Sequence, residues 1–194
     1  MDTNSIIQII AIIILLVMSA FFSSAETAYM TVNKIKIRSL VGKGNKRAAI
    51  VDKIINNSSK MLSTILIGNN IVNLSASTIL TTLVIHLFGN YATGIATGIM
   101  TILVLIFGEI SPKNAATVHA DKITLAYAPV INLLMYLFTP IIFIVDKLSG
   151  GVLRLLKIDP NNNKKAITED EGAMYRGYLL TRLGEFYAKR NLVM

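Results

Sequence analysis

The chain has 194 residues, of which 53% are apolar and 15% charged, and its formal net charge is +8. With a mean hydropathy of +0.59, this composition excludes an ordinary water-soluble domain and indicates an integral membrane protein. The sequence contains no cysteine, which excludes a disulfide framework, a thiolate metal site and a cysteine nucleophile.

Three apolar runs are long enough to cross a membrane, since about 20 apolar residues span a ~30 Å hydrocarbon layer. The first extends from Ile6 to about Val32, and an acidic residue precedes it rather than a basic one. We therefore interpret it as a retained span and not as a cleaved secretory signal. The other two runs extend from Met61 to about Phe88 and from Ala92 to about Ile110.

The segment between the first two spans predicts the orientation of the protein. It carries a single acid, Asp52, against these basic residues: Lys34, Lys36, Arg38, Lys43, Lys46, Arg47, Lys53 and Lys60. By the positive-inside rule this loop is cytoplasmic. We expect a multi-pass protein of the cell membrane, in a bacterium the inner or plasma membrane, with its amino terminus outside and its carboxyl terminus in the cytoplasm.

The basic charge predicts lipid contact rather than nucleic-acid binding. The loop lacks the aromatic residues that single-strand binders interleave with basic ones. Basic residues beside a span attract anionic lipid headgroups by ~1 kcal/mol each. We expect membrane lipids among the partners and no nucleic acid.

A fourth apolar stretch extends from Leu125 to Val145 and contains Pro129 and Pro140. Both of its flanks are basic, and proline removes backbone donors and bends helices. We predict a bent juxtamembrane helix over about residues 125–148, lying along or dipping into the inner face. A true fourth span with an external carboxyl end is the alternative.

Two carboxylates, Glu26 and Glu109, stand almost alone in the apolar part of the chain. The residues from Met61 to Gly108 include no Asp, Glu, Lys or Arg. An acid at bilayer depth costs roughly 2.5 kcal/mol or more. Such a residue is a candidate for function.

Each predicted span also carries a short polar segment: SSAET in the first, GNNIVNLSAS in the second and GEISP in the third. Ser23 and Thr27 share a helix face, and Asn73 lies three positions after Asn70 and four after Asn69. Pro112 has no N–H and leaves the helical carbonyl of Gly108 without a partner. These oxygen donors suit magnesium or calcium rather than zinc, copper or iron. The alternative is that they only join neighbouring helices by hydrogen bonds.

The segments SAFFSSAETAYMTVNKIKIRSL, ILIGNNIVNLSAST and IFGEISPKNAA closely resemble the transmembrane module of the CorC/CNNM magnesium transporter family. The resemblance covers about residues 5–168. It implies an all-α integral membrane protein with three spans, a cytoplasmic helical pair between the first two, and a belt-like juxtamembrane helix after the third. It also implies a homodimer.

The same resemblance implies a function and a site. The function is transport of Mg²⁺, with export as the expected direction and Na⁺ as a candidate coupling ion. The implied metal ligands are Ser24, Asn70, Asn73 and Glu109, with a backbone carbonyl near Asn114 or Ala115 as a weaker candidate. Glu26 belongs to the same motif, and we expect it to pair with Lys34 or another basic residue near the inner boundary.

The carboxyl-terminal part departs from the family. We expect a transmembrane domain over residues 1–149 and a cytoplasmic linker with an atypical tail over residues 150–194. Family members continue from a segment like AITEDE into an acidic linker and a CBS pair that can bind ATP, whereas here a basic tail follows Glu171. We expect no CBS domains in this tail. A shifted reading frame or a split gene is one hypothesis, and sequencing the DNA downstream tests it.

Other functions fit parts of the pattern. A calcium or manganese transporter uses the same ligand chemistry, and a non-transporting membrane anchor or sensor needs no flux. An intramembrane enzyme with Glu26 and Glu109 as acid and base is disfavoured, because no nucleophile or substrate motif accompanies them. We expect no enzymatic activity.

The GIATG segment, Gly94 to Gly98, permits close helix contact, and we predict internal packing rather than a dimer contact there.

Overall fold

The computed structural model describes residues 2–89 and 92–156. In these residues the fold is all-helical, as the sequence predicted. The helices are α1 (Thr3–Thr31), α2 (Lys34–Gly42), α3 (Lys46–Ile55), α4 (Ser58–Phe88), α5 (Thr93–Leu103), a π-helical segment (Val104–Ile110), α6 (Ser111–Val118), α7 (Ala120–Leu137) and α8 (Thr139–Leu155).

The three predicted spans are confirmed. By length and composition, the helices that could cross a membrane are Thr3–Thr31, Ser58–Phe88 and Thr93–Val118. The third is longer than expected, because the helix does not end near Ile110. Pro112 lies in the first turn of α6, where a missing N–H is tolerated, and the π-helical segment before it lets the helix continue.

The helical pair between the first two spans is also present. Asn33 and Asn45 cap α2 and α3, with side-chain oxygens that accept backbone N–H bonds from the first turn of each helix. The apolar side chains of Ile37, Val51 and Ile54 are fully buried. They belong to one core with buried residues at the end of α1 and in the middle of α7, so the pair packs against these two helices.

Two glycines allow the spans to approach each other closely. A Cβ placed at Gly68 in α4 would lie 2.4 Å from ring atoms of Phe22 in α1, and one at Gly108 would lie 2.8 Å from Ser19 Oγ. Small residues at helix interfaces are typical of membrane proteins. They bring α1 into contact with both α4 and the π-helical segment.

The predicted bend in the fourth apolar stretch is present, at Phe138. Helices α7 and α8 meet there at 65°. Pro140 lies just after the bend, whereas α7 runs through Pro129 without a break. Whether this bent pair lies along the membrane or crosses it stays a prediction.

The chain divides into two compact units, Met1–Ile142 and Phe143–Met194. The first contains the three spans, the helical pair and α7. The described part of the second is the remainder of α8. The predicted AITEDE linker and the atypical tail lie outside the described residues, and the proposed boundary at residue 149 stays a prediction.

The prediction of internal packing at GIATG is wrong for its two glycines. No atom of the described residues, apart from the helix itself, lies within 4 Å of a Cβ built at Gly94 or Gly98. This face of α5 is therefore open in the single chain.

Candidate cation site

The π-helical segment positions the third-span carboxylate. In this segment the helix is wider, and the N–H of Ser111 donates to the carbonyl of Ile106, five residues earlier. Gly108 is buried against Ser19 of α1, and the adjacent Glu109 is half-buried. Such π turns often occur at functional sites in helices.

Glu109 lies beside the asparagines of the second span. Asn73 Nδ2 donates to Glu109 Oε1 at 3.5 Å and to Asn69 Oδ1 at 3.5 Å. Ser19 Oγ donates to the same Asn69 oxygen, also at 3.5 Å. We call Ser19, Asn69, Asn73 and Glu109 the polar cluster. It joins all three spans.

The bonds within the polar cluster are long. Protein N–H···O bonds are most often about 2.9–3.0 Å, so contacts of 3.5 Å hold these groups only weakly. Each group is therefore able to exchange its contact for a stronger one at small cost.

Two buried oxygens near this face lack a hydrogen-bond partner in the part of the chain that the structure describes: Asn73 Oδ1 and Ser23 Oγ. Ser23 lies one helical turn after Ser19 on the same face of α1. An unsatisfied buried polar group costs about 1–3 kcal/mol. Both oxygens have lone pairs available for a cation.

A cavity of about 240 Å³ adjoins the polar cluster. It is lined by Asn73, Ser77, Thr97, Met100, Thr101, Val104, Leu105 and Glu109. Since a water molecule occupies roughly 30 Å³ in the liquid, the cavity has room for an ion that keeps part of its hydration shell. It extends from Glu109 towards the end of α4 at Gly89, not towards the basic helical pair.

The four residues that the resemblance implied as ligands do not all meet. Asn73 and Glu109 are in contact. Ser24 faces another way, because its hydroxyl bonds the Phe21 carbonyl at 3.0 Å and Tyr127 Oη at 3.4 Å. Asn70 is exposed on α4. No observation tests the ligand role of any of the four directly, so each stays a prediction.

The other carboxylate of the spans is paired with a cation. Lys113 Nζ lies 3.2 Å from Glu26 Oε2, and both side chains are more than a third exposed. The expectation that Glu26 pairs with Lys34 or another basic residue is confirmed, and the partner is Lys113. Asn114 and Ala115 are exposed on α6, and the structure does not test the role of their carbonyls.

Ser19 and Asn69 were not among the predicted ligands, although both belong to the polar cluster. A signal for them was present in the sequence. Ser19 precedes Ser23 by four residues and Asn69 precedes Asn73 by four, so each pair lies on one helix face.

The polar cluster consists of oxygen-bearing side chains from all three spans. Among the described residues, no group of three or more His, Cys, Asp or Glu side chains could hold a metal ion. A cation at the polar cluster would thus meet one carboxylate and neutral amide or hydroxyl oxygens. Such oxygen ligands suit magnesium, calcium or manganese.

Comparisons with known proteins identify the family of the chain. Residues 10–175 match the family described as the cyclin M (CNNM) transmembrane N-terminal domain. A UPF0053 protein of Haemophilus influenzae is 35% identical over 162 residues, covering 84% of this chain and 39% of the relative. The UPF0053 inner membrane protein YfjD of Escherichia coli is 34% identical over 140 residues, covering 72% and 33%.

A third relative has a functional name. The polyamine export protein of Haemophilus influenzae is 26% identical over 175 residues, covering 84% of this chain and 40% of the relative. The chain thus spans roughly a third to two fifths of the length of these three relatives. The likeness supports a multi-pass membrane protein of a transporter family.

Proposed function

Because this chain belongs to the cyclin M (CNNM) transmembrane-domain family, we propose that it transports a divalent cation, magnesium, out of the cell. The observation that carries the proposal is the contact between Asn73 and Glu109, at 3.5 Å, beside the unpartnered Asn73 Oδ1. A carboxylate and a free amide oxygen on two different spans form a site that a cation would complete.

The proposed site combines the polar cluster with Ser23. In this site Glu109 supplies the charge, and Asn73 and Asn69 supply amide oxygens. Ser19 and Ser23 supply hydroxyl oxygens from α1. Mg²⁺ prefers six oxygens at about 2.0–2.1 Å, so the long contacts of the polar cluster would contract around the ion. Ser24 and Asn70 would join only after a rotation of their helices.

The cavity offers a route for the ion. Its hydroxyls at Ser77, Thr97 and Thr101 lie on the Gly89 side of Glu109. Thr97 and Thr101 donate their protons to carbonyls one turn earlier, so each hydroxyl oxygen keeps lone pairs for a cation. An ion leaving Glu109 in this direction moves away from the basic helical pair. With that pair in the cytoplasm, this direction is export.

A homodimer is part of the proposal. A Cβ built at Gly94 or Gly98 would meet no atom within 4 Å among the described residues outside its own helix. Small residues four positions apart, with three residues between them, let two helices approach closely in a membrane. A second copy packed on this face of α5 would cover it. Na⁺ as the coupling ion is proposed on the family resemblance alone.

A polyamine is the second candidate for the cargo, because a relative is named polyamine export protein. Polyamines carry separated ammonium groups, and the spans contain a second carboxylate, Glu26. However, Lys113 already pairs with Glu26 at 3.2 Å and would repel an organic ammonium. The geometry therefore favours a small metal cation.

Flux from liposomes distinguishes these possibilities. We expect the purified chain to release trapped Mg²⁺, and Glu109→Gln to abolish the release. The matched carboxylate variant Glu26→Gln should retain most of it. If polyamine is the cargo, polyamine flux will exceed Mg²⁺ flux and both variants will lose it. The absence of flux for either cargo, and for Ca²⁺ and Mn²⁺ in the same assay, would leave the anchor or sensor as the remaining function.

A further inference from the structure

A second cavity lies at the other end of the spans, where three helices meet at the start of α4. It has a volume of about 330 Å³. Its lining comes from α3, α4, α7 and the residue before α4: Lys53, Ile54, Asn57, Lys60, Asn132, Leu133, Met135 and Tyr136. None of these residues belongs to the proposed cation site.

The charge of this cavity is entirely basic. Lys53 and Lys60 line it, and no carboxylate does. Within the described ranges neither lysine has an ion pair; Lys60 Nζ instead donates to Thr139 Oγ1 at 2.8 Å. Asn57 and Asn132 add amide groups that can donate hydrogen bonds. Two ammonium groups with amide donors are a suitable lining for a phosphate.

The apolar surface beside the lysines favours a lipid phosphate over a soluble one. Leu133 is 63% exposed, Tyr136 81% and Leu137 61%, all on α7. Lys60 lies in the first turn of a span, so this position is at the edge of the hydrocarbon layer. A soluble phosphate has no apolar part that could cover this surface. A phospholipid has both a phosphate that suits the lysines and an acyl chain that suits the apolar surface of α7.

We propose that this cavity binds the phosphate of an anionic phospholipid. The lipid joins α3, α4 and α7 through Lys53, Lys60 and Asn132, and its acyl chain covers the exposed face of α7. This proposal does not depend on the ion that the protein transports.

Binding to lipid vesicles tests the proposal. Each lysine near an anionic surface contributes about fivefold to binding. We therefore expect Lys53→Ala with Lys60→Ala to weaken the preference for phosphatidylglycerol over phosphatidylcholine by about 25-fold. The matched control is Lys43→Ala with Lys46→Ala, which removes the same charge from the α2–α3 turn outside the cavity. We expect this control to lose less than threefold.

A reporter variant measures the same contact if the lysine variant does not fold. The chain has no tryptophan, so Tyr136→Trp introduces a single tryptophan beside the cavity. We expect brominated phosphatidylglycerol to quench it more strongly than brominated phosphatidylcholine, and inorganic phosphate at equal concentration not to relieve the quenching. Equal quenching by the two lipids, displacement by inorganic phosphate, or an equal loss in the two lysine variants would overturn the proposal.

Discussion

Replacement of Gly68 by alanine should strongly destabilise the contact between α1 and α4. The added Cβ would lie 2.4 Å from Cε1 and Cζ of Phe22 and 3.1 Å from Cδ1. Ordinary carbon contacts are about 3.5–4.0 Å, so the helices must separate by about 1 Å. Phe22 is only 3% exposed, which leaves its ring little room to move.

The magnitude follows from this crowding. Overpacking costs about 1–3 kcal/mol, and we expect Gly68→Ala to reach the upper end because ring atoms are displaced rather than a flexible side-chain end. At about 2–4 °C per kcal/mol for a chain of this size, the unfolding temperature should fall by about 6–12 °C. Far-ultraviolet circular dichroism of the protein in detergent measures it, since the chain has no tryptophan or cysteine for fluorescence or thiol probes.

A second substitution tests the cause. Phe22→Leu removes the ring atoms that Gly68→Ala would meet, so the double variant should be more stable than the sum of the two losses predicts. Gly42→Ala is the control, because a Cβ there meets nothing within 4 Å. An unfolding temperature for Gly68→Ala within 2 °C (roughly 1 kcal/mol or less) of the unmodified chain, or strict additivity with Phe22→Leu, would refute the reasoning.

Three further predictions follow from individual contacts. Asn73→Ala should weaken Mg²⁺ binding about three- to tenfold in calorimetric titration, whereas Asn70→Ala should not; the reverse order would remove Asn73 from the site. Gly108→Ala should reduce Mg²⁺ affinity in the same titration while the helical content stays intact, because its Cβ would lie 2.8 Å from Ser19 Oγ and push the π-helical segment off α1. A hydrogen bond from Lys36 at 2.6 Å holds the pKa of Asp121 below its usual range. This contact therefore stabilises the fold above the unfolded carboxyl's pKa and is lost as the pH falls through the lower folded value. Since both side chains are partly exposed, Asp121→Asn should cost at most about 1 kcal/mol, and equal losses at neutral and strongly acidic pH in thermal unfolding would contradict this.

The spans could be predicted from the sequence because hydropathy alone determines them. The runs at residues 6–32 and 61–88 match α1 and α4 closely. The end of the third span could not be predicted, because Pro112 considered alone indicates that the helix ends there. In the structure a π turn precedes the proline, Gly108 packs against Ser19, and the helix continues to Val118.

The polar cluster could be predicted only in part, for a physical reason. In a helix of a soluble protein the exposed face is polar and the buried face is apolar, so the sequence distinguishes them. Lipid is as apolar as the protein interior, so the two faces of a membrane helix do not differ in this way. Ile13, Ile14 and Val17 are exposed on α1, although their composition resembles a core. Hence the neighbours in sequence do not indicate whether Ser23 or Ser24 faces α4. Adjacent helix positions differ by about 100°, so only one of the two can do so.

The resemblance to the family implied Asn73 and Glu109 among four ligands, and the structure brings these two together. The helix faces of Ser24 and Asn70 depend on tertiary contacts. Tyr127 of α7 accepts the Ser24 bond at 3.4 Å, and no sequence pattern links these two residues across 103 positions.

The central claim is that a hard cation binds between the second and third spans beside Glu109. Anomalous diffraction from crystals grown with Mn²⁺, which shares oxygen ligands with Mg²⁺, tests it most directly. We predict one strong peak within about 2.0–2.3 Å of both Asn73 Oδ1 and a Glu109 carboxylate oxygen, and no peak in Glu109→Gln. A peak at Glu26, or one that persists in Glu109→Gln, would contradict the account.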